Sequence, residues 1–223
     1  MRMKYKGVGF DLDGTLAMTH VDYGELANVN QYVLGPLGFP VKEMWEGHEW
    51  VSRDPLYDYL RENGRMSEKD ELDAYMDKRC LEIEIQGGLD AVICSGIKDT
   101  LSKLKSKGVK LGVVTRGGHE YAMSILSAND MLQYFDVIQG RDDYPYTEIK
   151  PSPMAMVHLA DDMGISTDDL LYVGDSPTDY MSARDAGVDY AGVLTGKGTT
   201  EGWRSLGDDI TIINSAADVI DLV

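Results

Sequence analysis

Aspartates stand where two short apolar runs end: Phe10-Asp11-Leu12-Asp13-Gly14-Thr15-Leu16 and Gly174-Asp175-Ser176-Pro177-Thr178-Asp179. In an extended chain, residues two apart share a face, so Asp11 and Asp13 can point into one crevice. Two close carboxylates repel each other, and a cation or a proton between them relieves the repulsion. Taken alone, a solvated Asp-Gly turn accounts better for the first cluster. Two more run ends change that balance. Val113-Val114 leads into Thr115-Arg116-Gly117-Gly118, a hydroxyl and backbone amides near a helix start, which suits an anion. Lys150-Pro151-Ser152-Pro153 places one lysine beside an otherwise acidic set. Two carboxylate clusters, a hydroxyl and one cation fit a divalent metal and a phosphoryl group sharing a crevice, with a carboxylate poised to attack phosphorus.

Other motifs fail on their spacing. A calcium loop counted from Asp11 needs glycine sixth and glutamate twelfth, where Leu16 and Asp22 stand. An esterase built on Ser176 normally finds its base histidine further along the chain, but His20, His48, His119 and His158 all precede it. Gly7-Val8-Gly9 opens a dinucleotide fingerprint whose last glycine is replaced by Leu12. Gly196-Lys197-Gly198 lacks the hydroxyl residue of a P-loop, and Ala191 sits where its first glycine belongs.

The elements that must position these groups alternate in type. Short apolar runs at Tyr5–Phe10, Val109–Val114, Phe135–Ile138, Leu170–Val173, Tyr190–Leu194 and, more weakly, Ile210–Ile213 read as strands. Between them, Ile97–Lys107, Glu120–Ala128, Pro153–Met163 and Asp179–Ala186 carry apolar residues at helical spacing. Ser152-Pro153 reads as an N-cap followed by proline at the first helical position, and Gly108, Gly164 and Gly187 stand where helices should stop. Alternation of this kind predicts an α/β fold: a Rossmann-like three-layer αβα core around a parallel sheet, whose carboxyl end is where such sheets bind ligands. From about Val21 to Gly87 no strand is expected. Helical patterns run there instead, enough for a small separate bundle. The expected division is a core of residues 1–18 and 90–223 with a helical cap of residues 19–89.

Composition narrows the partners. Across 223 residues, 38 acidic against 21 basic side chains leave a formal charge of −17, a poor match for nucleic acid or an anionic membrane surface. Two cysteines, Cys80 and Cys94, are too few for a secreted disulfide framework. The basic start, Met1 to Lys6, meets Asp11 too soon to be a signal-peptide core, and no apolar run reaches membrane-spanning length. A cytoplasmic protein is expected.

In combination, Asp11-Leu12-Asp13-Gly14-Thr15, Thr115, Lys150 and Gly174-Asp175-Ser176-Pro177-Thr178-Asp179, continued by Ala183, Ala186-Gly187 and Gly192-Val193, resemble the haloacid-dehalogenase superfamily. The likeness is to its phosphoglycolate-phosphatase-like branch with a helical C1-type cap. It covers Lys6 to about Leu16 and Ile97 to the C-terminus; the cap matches only in position and helical character. The resemblance implies a Mg²⁺-dependent phosphatase acting on a small phosphorylated metabolite (phosphoglycolate, a sugar phosphate or a nucleotide) as a monomer or homodimer. It implies Asp11 as nucleophile and Asp13 as general acid and base. Asp11, the Asp13 carbonyl and Asp175 would hold Mg²⁺, with Asp179 in support, and Thr115 and Lys150 would bind the phosphoryl oxygens. Arg116 departs from the small or amide residue common after the threonine and is expected to add a phosphate contact or point away. Asp13 favours phosphate esters over carbon–halogen bonds, because only an alkoxide leaving group needs its proton. A phosphomutase uses the same motifs; a receiver-like phospho-acceptor places its acids before the lysine, the reverse of the order here. In the insertion, Trp45, His48, Trp50, Arg53, Tyr57, Arg61 and Arg65 are candidates to meet substrate, as are His20 and Tyr23 beside it. For Tyr57 and the tryptophans a place in the cap core is the stronger expectation, and for the arginines solvation.

Overall fold

The structure, a computed structural model, describes residues 4–48, 52–208 and 210–223. It divides into two compact units, residues 1–19 with 90–223 and residues 20–89. Along the chain the first unit begins with β1 (Gly7–Phe10) and β2 (Ala17–Met18). The second unit follows as α1 (Tyr23–Ala27), α2 (Val29–Leu34), α3 (Val41–Met44), α4 (Asp54–Glu62) and α5 (Lys69–Gly88). The first unit resumes with β3 (Val92–Ile93), α6 (Ile97–Ser106), β4 (Lys110–Val114), α7 (His119–Ala128) and β5 (Val137–Gln139). It closes with α8 (Met154–Met163), β6 (Leu170–Gly174), α9 (Pro177–Asp185), β7 (Asp189–Val193), α10 (Thr200–Leu206) and β8 (Thr211–Ile213).

Six strands form one parallel sheet in the order β5-β4-β1-β6-β7-β8, with Gly9 between Gly112 and Tyr172 at its centre. Both faces are covered, as the near-continuous apolar strands require. On one face Val114, Leu170, Tyr172 and Tyr190 pack with Met156, Leu159 and Met163 of α8, Ala183 of α9 and Trp203 of α10. The two-residue period sends Val8, Phe10, Leu111 and Val113 to the other face, where α6 and the C-terminal turn Ala216–Asp221 lie together. The α/β architecture is as expected. The chain runs from β1 out to β4 and β5, then returns to β6 on the other side of β1. That reversal marks β1 as the switch point, and the crevice at its carboxyl end is where a ligand belongs.

Two features escaped the sequence patterns. The pair β2–β3 is antiparallel and only two residues long in each strand, too short to show a period. The helix α10 is capped by Thr199, whose hydroxyl accepts from the Gly202 amide. The helix α8 starts one residue later than expected, with Pro153 as N-cap and the Ser152 hydroxyl accepting from the Met154 amide at 3.3 Å.

The helical unit has its own core, with Leu34, Trp45, Leu56, Leu60 and Met76 almost fully buried. Its buried Arg53 is paired with Asp73 at 3.0 Å and Asp77 at 2.6 Å, and the Tyr57 hydroxyl donates to Asp73 at 2.9 Å. These contacts give Arg53 and Tyr57 a place in the interior of that unit. Arg61 and Arg65 pair with Asp58 and Glu68, three residues away in each case. His20, Tyr23 and His48 are exposed, and Trp50 lies outside the described residues. No helix among the described residues is long and apolar enough to cross a membrane.

Candidate active site

Four segments of the first unit meet at the carboxyl end of the sheet. Asp11 continues β1, its amide donating to the Val173 carbonyl at 2.9 Å, and its side chain is buried beside Asp175 and Asp179. One carboxylate oxygen from each of the three lies within 4.8 Å of the others. Lys150, 2 % exposed, reaches into this cluster. Its ammonium donates to Asp11 Oδ1 and Asp179 Oδ1, both at 2.7 Å, and to the Tyr172 hydroxyl at 3.0 Å. The three N–H bonds of the ammonium are matched by three acceptors. Tyr172 is oriented for this role because its own hydroxyl donates to the Val114 carbonyl at 2.8 Å.

The start of α9 explains why Asp179 can be held so deep. Its Oδ2 accepts from the Ser176 amide at 3.0 Å and the Ser176 hydroxyl at 2.7 Å, a capping arrangement opened by Pro177 at the first helical position. One oxygen thus fastens the helix end while the other faces Lys150. Asp175 Oδ2 accepts from the Lys197 amide at 2.7 Å. Gly14 is required beside it: its φ is +81°, and a Cβ there would stand 2.8 Å from Cγ of Asp175.

Burial and crowding shift the titrations. Burial pushes the Asp11 carboxyl well up; the Lys150 charge opposes this, while Asp179, Asp175 and Asp13 add to it. Asp175 is raised to about 6 by burial, against the Lys197 amide and with the Asp179 charge. For Lys150, burial disfavours the ammonium, but the charges of Asp11 and Asp179 outweigh it and hold the group charged well beyond its usual range. Carboxylates this crowded are what a hard divalent cation would relieve, and an all-oxygen donor set is the kind such a cation prefers. The residues therefore fit a metal.

Asp13 stands apart from the three-carboxylate cluster. Its Oδ1 accepts from the Thr19 hydroxyl and the Tyr121 hydroxyl, each at 2.6 Å. Burial raises its pKa, against those two hydrogen bonds and the charges of Lys150 and Lys197. Thr115 follows β4, is buried, and accepts from the Gly117 amide at 3.0 Å. The Arg116 carbonyl accepts from buried Arg141 at 2.9 Å, a contact that fixes its backbone and not its guanidinium.

The structure thus brings Asp11, Asp13, Thr115, Lys150, Asp175 and Asp179 to one end of one sheet. Sequence reasoning did not single out Tyr121, Tyr172 or Thr19, which hold these groups, and weighed Ser176 only within its motif and as an esterase nucleophile. Its holding role had a local signal, as the N-cap preceding Pro177 and Asp179. Tyr121 lies 108 residues from the aspartate that it touches.

A doubly wound sheet with an acidic, lysine-bridged crevice at its switch point defines an α/β protein whose ligand site suits a divalent metal. Its sequence places it more closely: residues 8–193 match the family model of the haloacid dehalogenase-like hydrolases, and the chain belongs to that family. It is 30% identical over 196 residues to a phosphoglycolate phosphatase of Nitrosospira multiformis, covering 82% of this chain and 80% of that protein. It is 30% identical over 212 residues to the phosphoglycolate phosphatase of Escherichia coli K12, covering 86% and 82%. A crystal structure from Haemophilus somnus, described as a predicted phosphoglycolate phosphatase, superposes with a TM-score of 0.66 at 25% identity, covering 99% of this chain and 98% of that one. The chain is a phosphatase-type hydrolase of this family.

Proposed function

We propose that the protein is a Mg²⁺-dependent phosphatase that hydrolyses a small phosphomonoester through an aspartyl-phosphate on Asp11. The first candidate substrate is 2-phosphoglycolate, for which the similar proteins are named. The observation that carries this reading is Lys150 bonded at 2.7 Å to one oxygen of Asp11, in a crevice shared with Asp175 and Asp179. With Oδ1 committed to the ammonium, Oδ2 is the oxygen offered to phosphorus.

In the first step an Asp11 oxygen attacks phosphorus, the ester P–O bond breaks, and the departing alkoxide takes a proton from Asp13. In the second, water attacks the phosphoryl group and gives its proton to Asp13, and the bond to Asp11 breaks to release phosphate. Thr115 and the amides of its loop bind phosphoryl oxygens, with Arg116 as a further contact. Lys150, whose three N–H bonds are taken up by Asp11, Asp179 and Tyr172, holds Asp11 in line and sets a positive charge beside the phosphoryl group. Asp11, the Asp13 carbonyl, Asp175 and Asp179 would hold Mg²⁺, which supplies charge neutralisation for the phosphoryl oxygens when bound. Residues 19–89 are assigned the choice of substrate, and the enzyme is read as cytoplasmic, a monomer or homodimer, and without nucleic-acid partners.

The test is phosphate release from a panel of phosphomonoesters, with Mg²⁺ or with chelator, for wild type, Asp11→Asn and Asp13→Asn. Wild type should release phosphate from at least one ester only with metal, and Asp11→Asn should abolish turnover. Full activity in Asp11→Asn overturns the nucleophile. An isomerised sugar phosphate without free phosphate would make the enzyme a mutase.

A further inference from the structure

Tyr121 brings a buried hydroxyl to Asp13. The residue lies on the first turn of α7 and is fully buried, where phenylalanine would fill the same volume with no polar atom to satisfy. Burying a hydroxyl without a partner is costly, so a buried tyrosine points to what its oxygen touches. Here that is Oδ1 of Asp13, at 2.6 Å, the same oxygen that accepts from the Thr19 hydroxyl at 2.6 Å. A carboxylate only accepts, so both hydroxyls donate, and hydrogen bonds to a carboxylate at this distance are of the strong kind.

Resting on the aspartyl-phosphate mechanism above, we infer that Tyr121 is a positioning residue that occupies Oδ1 of Asp13 and thereby places the acid's transferable proton on Oδ2. A carboxylic acid has one hydroxyl oxygen and one carbonyl oxygen. The oxygen that receives two O–H donors is the carbonyl one, since putting the proton there would displace a donor. The two hydroxyls also restrain rotation of the carboxyl group, so one face and one oxygen are presented to the leaving group. In the first step the proton passes from Oδ2 to the departing alkoxide oxygen as the ester P–O bond breaks, and Asp13 becomes a carboxylate still held by both donors. In the second step a water proton returns to Oδ2 as the water oxygen bonds to phosphorus and the bond to Asp11 breaks.

The loop that carries Thr115 is shaped around this ring. A Cβ on Gly117 would stand 2.6 Å from Cδ1 and 3.0 Å from Cε1 of Tyr121. Glycine at 117 therefore lets the ring lie against the loop with its hydroxyl at Asp13.

The test compares two leaving groups in single-turnover phosphorylation of the enzyme: an alkyl phosphate, whose alkoxide must be protonated, and p-nitrophenyl phosphate, whose phenolate leaves unaided. In Tyr121→Phe the first-step rate should fall about tenfold or more for the alkyl ester and stay within about twofold for the aryl ester. KM for the alkyl ester should change little. Thr19→Val, which removes the other donor to the same oxygen, should show the same selectivity, and serves if Tyr121→Phe does not fold. Asp13→Asn should show it more strongly. Equal losses on both esters, or none, in a folded Tyr121→Phe or Thr19→Val beside a selective Asp13→Asn overturn the role of the two donors on Oδ1 alone. A non-selective Asp13→Asn, or wild type inactive on both esters, overturns the proposed mechanism and the inference with it.

Discussion

Lys150→Met removes one positive charge and three hydrogen bonds while keeping most of the side chain's volume. The ammonium is 2 % exposed and lies 2.7 Å from a carboxylate oxygen of each of Asp11 and Asp179. Asp179 has no exposure at all. Without the ammonium, both carboxylates keep their burial and lose their counter-charge. Removing one partner of a buried pair costs about 3–5 kcal/mol. For a chain of this length about 1 kcal/mol corresponds to roughly 2–4 °C, so Tm in chelator at pH 7.5 should fall by about 6–20 °C.

The pH dependence separates this cause from lost packing. Asp11 is already raised by burial and by its acidic neighbours, with Lys150 as the opposing charge; removing that charge raises it further. A carboxyl whose folded pKa lies above its unfolded value binds more protons when folded, so its contribution is fully present below the unfolded value and lost as pH rises through the folded one. The deficit of Lys150→Met should therefore shrink on acidification, by up to about 1.4 kcal/mol per pH unit for each proton taken up. Calorimetry of both proteins at pH 5, 6.5 and 8 in chelator would show this. A Tm loss under about 2 °C at pH 7.5, or a deficit equal at pH 5 and 8, would refute the electrostatic account of Lys150.

Two further outcomes follow from single groups. Because Asp175 is raised to about 6 by burial, a divalent cation must displace its proton at lower pH. Mg²⁺ affinity measured by titration calorimetry should fall by at least about tenfold per pH unit below about 6; a flat profile from pH 5 to 7 contradicts this. The hydroxyl of Thr15 is buried with no hydrogen-bond partner among the described residues, so the near-isosteric Thr15→Val should be neutral or stabilising by up to about 2 kcal/mol in urea unfolding, and a loss above about 1 kcal/mol would show that the hydroxyl is satisfied in solution.

Legibility in the sequence followed the range of the interactions. Strands such as Lys110–Val114 and Leu170–Gly174 stood out because a parallel strand covered on both faces must be apolar throughout. Their ends were less certain where tertiary contacts take over. Tyr5 is buried yet precedes β1, its hydroxyl donating to Asp189 at 2.7 Å, and Phe135 closes a turn before β5, packing edge-on to Phe10. The candidate site was legible as far as its groups end strands or begin helices, because those positions carry local patterns of their own. Tyr121 and Tyr172 were not, since in sequence each is one more apolar residue at a core position. Only the three-dimensional placement of their hydroxyls, on Asp13 and on Lys150, distinguishes them from phenylalanines.

That distinction bears on how a chain of charge −17 can take an anion. Asp11, Asp13, Asp175 and Asp179 as carboxylates, set against the ammonium of Lys150 and the charge of Lys197, would leave two negative charges facing a phosphate. A divalent ion would offset both. On the mechanism proposed above, a proton on Asp13 makes the crevice more welcoming still, and the leaving alkoxide requires that same acid form. On the proposed mechanism, substrate capture and acid catalysis would then favour the same protonation state, and the two hydroxyls on Oδ1 of Asp13 would direct that proton to the oxygen that must deliver it. Once the alkoxide had left with the proton, the charge would return to Asp13, where it would serve as base toward water and disfavour rebinding of a second phosphate ester.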